Sequence, residues 1–214
     1  SAVTMVSCGY YHTMVVTEAG RLFTFGYGVD GQLGHGDRNA RDVPVEVGAA
    51  RFRGARIVFA AAGCVHSAVA TSEGRVWTWG FGICGRLGHN DEQDQLVPME
   101  VAGELGGGKA VMLAAGVFHT MVVTHDGALW GCGRGEHGQL GVGDRADRLT
   151  LVRVGEEEAF GQSGVLMVGC GSYHTAAMTE EGGLWSWGEG AYGKLGHNNE
   201  EDRLLPVRVE VEGL

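Results

Sequence analysis

In the first fifty residues the apolar positions gather into four short runs, Val3 to Cys8, His12 to Thr17, Leu22 to Phe25 and Val43 to Val47. Each is too short for a helix and rich in β-branched residues, so each predicts a strand. A glycine turn, Glu18-Ala19-Gly20, joins the second run to the third, and it returns as Ser72-Glu73-Gly74 and His125-Asp126-Gly127. The pattern therefore predicts a four-stranded unit that the chain uses more than once.

Four segments align: SCGYYHTMVVTEAGRLFTFGYGVDGQLGHG from Ser7, AAGCVHSAVATSEGRVWTWGFGICGRLGHN from Ala61, AAGVFHTMVVTHDGALWGCGRGEHGQLGVG from Ala114, and VGCGSYHTAAMTEEGGLWSWGEGAYGKLGHN from Val168, the last with a one-residue shift. Gly9, Gly63, Gly116 and Gly171 recur at intervals of 54, 53 and 55 residues, and His12, His66, His119 and His174 keep the same spacing. A repeat of this period marks a modular array. The units run approximately over 1–54, 55–107, 108–162 and 163–214. Ten residues past Gly34, Gly88, Gly141 and Gly196 stand Pro44, Pro98, Leu151 and Pro206, so the third copy lacks the proline. Length differences fall between that position and the next copy, which predicts a surface connection there.

Strands this apolar are expected to be covered on both faces, as when four-stranded antiparallel sheets stack radially in a β-propeller. Aromatic residues recur at fixed places, Phe23, Trp77, Trp130 and Trp185, then Phe25, Trp79 and Trp187 with Cys132 as the exception. Large rings at constant positions suit packing between adjacent sheets. The fold class is all-β, with four blades.

Composition sharpens this. Glycine supplies 39 of 214 residues, roughly 18% against about 7% in average proteins, which favours short strands and tight turns over helices. The net charge is −10 and no basic stripe is present, so direct nucleic-acid binding is not expected. The five cysteines, Cys8, Cys64, Cys84, Cys132 and Cys170, form no CxxC pair. Cys8 and Cys170 occupy the place of Ala62 and Ala115 and read as small buried residues, in a reducing compartment. With no charged-then-apolar leader and no stretch of about 18 apolar residues, neither secretion nor membrane insertion is expected, and the location is intracellular, cytoplasmic or nuclear.

Each copy carries a GxGxxG, beginning Gly26-x-Gly28-x-x-Gly31. A dinucleotide site would need a helix to follow, and no helical periodicity does, so these are tight turns and no cofactor is expected. A histidine present in every copy reads as structural, its ring nitrogen bonding a neighbouring backbone group, and not as a metal ligand. The glycine-histidine pairs Gly9 and His12, Gly63 and His66, Gly116 and His119, and Gly171 and His174 are thus structural repeat positions. No nucleophile constellation appears: Ser67 merely replaces Thr13, Thr120 and Thr175. The acidic groups Asp91-Glu92, Glu156-Glu157-Glu158 and Glu200-Glu201-Asp202 read as solvated loop charge. An enzyme is not indicated.

What varies is left to carry specificity. The pair before each histidine is Tyr10-Tyr11, Cys64-Val65, Val117-Phe118 and Ser172-Tyr173; the glycine loops add Tyr27 with Asp30, Phe81 with Cys84, Arg134 with His137, and Glu189 with Tyr192. Tyrosine and arginine are common interface anchors. The candidate partner-binding residues are therefore Tyr10, Tyr11, Tyr27, Asp30, Phe81, Phe118, Arg134, His137, Tyr173 and Tyr192.

The quoted segments resemble the repeat of the regulator of chromosome condensation family, with its CGxxHS/T strand, T-x-x-G turn, aromatic strand ending in WG and GQLGxG loop. That resemblance covers nearly the whole chain and implies a propeller usually made of seven repeats. With four, the chain is expected to be a partial arc of a larger propeller or an arc completed by self-association through its exposed blade edges; a closed four-bladed ring is disfavoured because the wedge suits seven. The resemblance also implies two functional readings. The first is a protein-interaction scaffold; the second is guanine-nucleotide exchange on a Ran-type small GTPase with chromatin association through a histone surface. Plant ultraviolet-sensing relatives place Trp and Arg before the histidine, and the pairs here hold neither.

Overall fold

A computed structural model describes residues 2–103, 105–155 and 159–210, so the triplet Glu156-Glu157-Glu158 lies outside the described residues. The first sheet is built from β1 (Val3–Cys8), β2 (His12–Thr17), β3 (Leu22–Gly26) and β4 (Arg41–Val47). The second holds β5 (Ile57–Ala62), β6 (His66–Thr71), β7 (Val76–Gly80) and β8 (Gln95–Glu100). In the third are β9 (Ala110–Ala115), β10 (His119–Thr124), β11 (Leu129–Gly133) and β12 (Arg148–Arg153). The fourth comprises β13 (Val165–Cys170), β14 (His174–Thr179), β15 (Leu184–Gly188) and β16 (Arg203–Arg208). All four are antiparallel meanders in chain order, with no crossover. The register repeats as well: His12 faces Gly26, His66 faces Gly80, His119 faces Gly133 and His174 faces Gly188.

The sheets stack blade on blade. Innermost strands β1, β5, β9 and β13 each touch the next, and the core lies in three seams between successive blades. Strands flanked on both sides are buried throughout, as β6 and β10 are, whereas β14 in the last blade alternates buried and half-buried positions. The ring does not close, and the four blades form an open arc. Cys8 departs from the buried place expected of it: it is exposed on β1 of the first described blade, while Cys170 is half-buried, as are its counterparts Ala62 and Ala115.

The connections between blades do more than cross the surface. Residues Ala49–Phe52 form a 3-10 turn that buries Phe52 edge-on against Trp77 at 5.7 Å and tilted against Trp79 at 6.2 Å. Phe160 repeats this in the third connection, against Trp185 at 5.6 Å and Trp187 at 6.0 Å. Burial of a ring of this size contributes about 2–3 kcal/mol, so these connections help hold the seams.

The seams alternate. Across the first, Arg38 pairs with Asp94 at 2.9 Å, and across the third Arg145 pairs with Asp202 at 3.1 Å. At the second seam the arginine place is taken by Glu92, whose carboxylate accepts the Cys84 N–H at 3.0 Å. Trp79 and Trp187 fill the first and third seams where Cys132 stands in the second, and Leu105 replaces the connection's phenylalanine there. The first and third seams thus share one set of fillings and the second has another, which includes the bond from Arg86 Nη1 to Val117 O at 2.7 Å.

Candidate docking rim

In each meander the chain leaves the first strand, turns through the variable pair and enters the second strand at the repeated histidine. Because the third strand runs back to the same end, the glycine loop emerges beside that pair. Hydrogen bonds close the corner: Tyr27 N–H donates to Tyr11 O at 2.8 Å, Phe81 to Val65 at 3.0 Å, Arg134 to Phe118 at 3.0 Å and Glu189 to Tyr173 at 2.8 Å. Both sets of variable positions therefore share one rim, and the hairpin turns lie at the other end of the blades.

Beneath the rim lie the histidines. His12 Nε2 meets Ser67 Oγ at 2.8 Å, His66 Nε2 meets Thr120 Oγ1 at 2.9 Å, and His119 Nε2 meets Thr175 Oγ1 at 2.9 Å. Each hydroxyl belongs to the following blade, so the expected backbone partner is replaced by a side chain across the seam. The hydroxyls donate onward to Gln32 O, Arg86 O and Gln139 O at 2.8 Å each. With its hydrogen committed, the hydroxyl can only accept from the ring, which fixes the Nε2–H tautomer. Trp79 and Trp187 indoles donate at 2.9 Å to the same Gln32 and Gln139 carbonyls, while Cys132 Sγ stands 3.5 Å from Arg86 O. Burial pushes His12 down to about 4 and His119 to about 3, and it holds His66 well below the usual range. A neutral ring that must donate at Nε2 is a seam fastener. Its other face covers the glycine, since a Cβ on Gly9 would lie 2.6 Å from His12 Cε1.

The candidate residues fall into three groups on the rim. Tyr10, Tyr11 and Tyr27 cluster on blade 1, with ring centroids 4.8 and 5.7 Å apart and all three exposed. Phe118 stacks on Tyr173 at 5.3 Å, His137 meets Tyr173 edge-on at 4.9 Å, and Arg134 lies 5.2 Å from the Phe118 ring. Phe81 joins this second group through Arg86, whose guanidinium lies 5.3 Å from Phe81 and 4.9 Å from Phe118. Tyr192 stands apart at 92% exposure, with Lys194 Nζ 5.9 Å from its ring. Asp30 lies between the groups and uses its N–H on Gln32 Oε1 at 3.0 Å.

Arg86 and the three seam hydroxyls were missed by reading variable positions alone. The signal for the hydroxyls was present, as a Ser or Thr directly follows every repeated histidine. For Arg86 it was the residue before LG, which runs Gln32, Arg86, Gln139 and Lys194. Among the described residues no cluster of His, Cys, Asp and Glu could hold a metal, and no helix is long and apolar enough to cross a membrane.

A radial arc of four-stranded meanders, fastened by a histidine-hydroxyl bond at each seam, defines a β-propeller repeat protein. The profile of the RCC1-like domain matches residues 1–214, and the chain belongs to that family. It is similar to the ultraviolet-B receptor UVR8 of Arabidopsis thaliana, 39% identical over 209 residues that cover 97% of this chain and 46% of the receptor. Human WBSCR16 superposes with a TM-score of 0.88 at 27% identity over 98% of this chain and 53% of that one. Prp20p of Saccharomyces cerevisiae, in a structure described with its binding to Gsp1p and histones, gives 0.81 at 22% over 98% and 51%. The chain thus spans about half the length of these relatives.

Proposed function

We propose that this chain is a non-catalytic interaction module that docks a protein partner on the rim formed by the variable pairs and glycine loops. The observation that supports it is the concentration there of exposed and half-exposed rings, Tyr10, Tyr11 and Tyr27 at one end and Phe118 with Tyr173 at the other, above a fastened scaffold. Rigid aromatic groups give contact area at little entropic cost. The partner is a protein, with neither nucleic acid nor membrane involved, and the setting is intracellular, in keeping with five unpaired thiols. The two free blade faces favour association with further blades, including those of a second copy. Photo-crosslinking tests the rim: a benzophenone side chain at Tyr11 or Tyr173 is expected to capture the partner, and one at Glu73, on the opposite end, to capture none. Adducts confined to Glu73 would overturn the reading.

The finer alternative is guanine-nucleotide exchange on a Ran-type small GTPase, with a histone surface as the chromatin contact. The rim rings are the residues that would enter the GTPase. Release of a fluorescent nucleotide from a panel of small GTPases measures this directly; acceleration from any of them replaces the scaffold reading by the exchange reading.

A further inference from the structure

The loops that carry the rim run from the third strand of each blade to the fourth, over 26–41, 80–95, 133–148 and 188–203, and together they hold twelve carboxylates and eight basic side chains. Seven of the eight are tied in ion pairs to seven of those carboxylates. The eighth, Arg86, is buried and acts on Asp30 only through space. Five carboxylates, Asp30, Asp91, Glu92, Asp147 and Glu200, have no ion pair among the described residues. Asp91, Glu92 and Asp147 each accept one backbone N–H, which leaves their charge unneutralised. The rim therefore presents uncommitted negative charge and no uncommitted cation at its surface, and it is complementary to a basic occupant. A second copy would bring the same surplus to this rim, so the occupant is a different protein.

Cations already cover most of the rim's rings. Arg86 lies 5.3 Å from the Phe81 ring and 4.9 Å from Phe118, Arg134 lies 5.2 Å from Phe118, and Lys194 lies 5.9 Å from Tyr192. Tyr173 is stacked against Phe118 and met edge-on by His137. Over Tyr10, Tyr11 and Tyr27 no guanidinium or ammonium stands among the described residues, and all three rings are exposed. Asp30 follows Tyr27 in the same loop. That loop is held in place: Arg38 donates from Nη1 to Val29 O at 2.7 Å while its Nη2 pairs with Asp94, and the Asp30 N–H donates to Gln32 Oε1 at 3.0 Å. Open aromatic faces beside an unpaired carboxylate suit the cationic head of a lysine or arginine.

Resting on the docking reading above, we infer that the tyrosine cluster of blade 1, with Asp30, receives a lysine or arginine side chain from a basic segment of the partner protein. The rings take the cation on their faces and the carboxylate pairs with it. Asp91 and Glu92, in the loop of the next blade, attract the basic residues that flank it.

The test uses the 214-residue chain and a fluorescein-labelled ten-residue peptide of alternating Lys and Ser, with the Glu-Ser peptide as its opposite. Anisotropy at low ionic strength is expected to show saturable binding of the Lys peptide alone, weakening as salt is raised. Asp30→Asn and Tyr11→Leu are expected to keep the thermal midpoint and to weaken binding by about two- to fivefold each. Tyr11→Phe, which keeps an aromatic face, should bind more tightly than Tyr11→Leu. Glu73→Gln, at the opposite end of the blades, should leave the affinity unchanged. Equal binding of both peptides, no saturable binding, Tyr11→Leu binding as tightly as Tyr11→Phe, or a loss in Glu73→Gln equal to that in Asp30→Asn would overturn the inference. If the benzophenone at Tyr11 captures the partner while the Lys peptide does not bind, the basic chemistry fails and the docking rim stands; if adducts form only at Glu73, the docking reading fails with it.

Discussion

His66 Nε2 lies 2.9 Å from Thr120 Oγ1 across the second seam, and the threonine hydroxyl passes its own hydrogen to Arg86 O at 2.8 Å. Both groups are fully buried, so neither can exchange this partner for water. Repetition of the same bond at the first and third seams makes it the common fastener of the arc.

Loss of the hydroxyl should therefore be costly. Thr120→Val keeps the shape but strands the ring N–H and a carbonyl lone pair, and about 1–3 kcal/mol of stability should be lost. Thr13 is the equivalent residue of blade 1, and no blade precedes it in the described arc. Thr13→Val should change stability by less than about 0.5 kcal/mol. Urea denaturation of the two variants measures the contrast; equal losses would deny the fastener its role.

The same rings make stability depend on pH. In the unfolded chain a histidine takes up its proton near about 6.5, whereas His12 and His119 are held at about 4 and about 3 and His66 is lowered too. Between those limits the unfolded state binds more protons, so stability falls as the pH is lowered from about 6.5 toward 4 and is fully present above that window. The urea midpoint should decline over that range, and the slope should flatten in His12→Gln. A midpoint unchanged between pH 7 and pH 4.5 would contradict the assignment.

Alternation of the seams sets which one opens first. The equivalent inter-blade bonds are Gly36 N–H to Leu96 O, Asn90 N–H to Leu149 O and Gly143 N–H to Leu204 O, at 2.8, 2.8 and 2.9 Å. Geometry alone does not separate them, but the second seam lacks the Arg-Asp pair, the tryptophan and the connection phenylalanine. Hydrogen exchange should be faster at Asn90 than at Gly36 and Gly143, although the latter two border the arc's ends. Slower exchange at Asn90 would show that the alternation carries no energetic weight.

The blades were legible because their determinants are local and repeated: glycine turns, β-branched runs and rings at fixed spacing state the same structure four times. Relations across a seam were harder to read. Thr120 lies 54 residues from His66, and nothing in either segment names the other. Loss of the Thr-His pair in blade 3 shows the difficulty. Thr24, Thr78 and Ser186 bond His35, His89 and His197 at 3.0, 2.9 and 3.0 Å, whereas blade 3 carries Gly131 and Val142 at these places. Val142 was visible as an exception in the sequence, but its link to Gly131 appears only once β11 and the glycine loop are folded together. The rim residues were identifiable as variable positions, while Arg86 was hidden by its place in a motif that otherwise looked like scaffold.

Two glycines separate packing from conformation. A Cβ on Gly63 would stand 2.4 Å from His66 Cε1 and 2.7 Å from Gly116 O. Neither neighbour is free to retreat, because the ring is tied to Thr120 and the carbonyl accepts the Cys64 N–H at 3.1 Å. Gly169, within β13, has nothing within 4 Å of its would-be Cβ. Gly63→Ala should therefore cost about 1–3 kcal/mol or more through overpacking. Gly169→Ala should be neutral or add about 0.4–1 kcal/mol by restricting the unfolded chain. Should thermal denaturation show both substitutions equally tolerated, the close stacking of histidine on glycine would not be what excludes a side chain from the repeat.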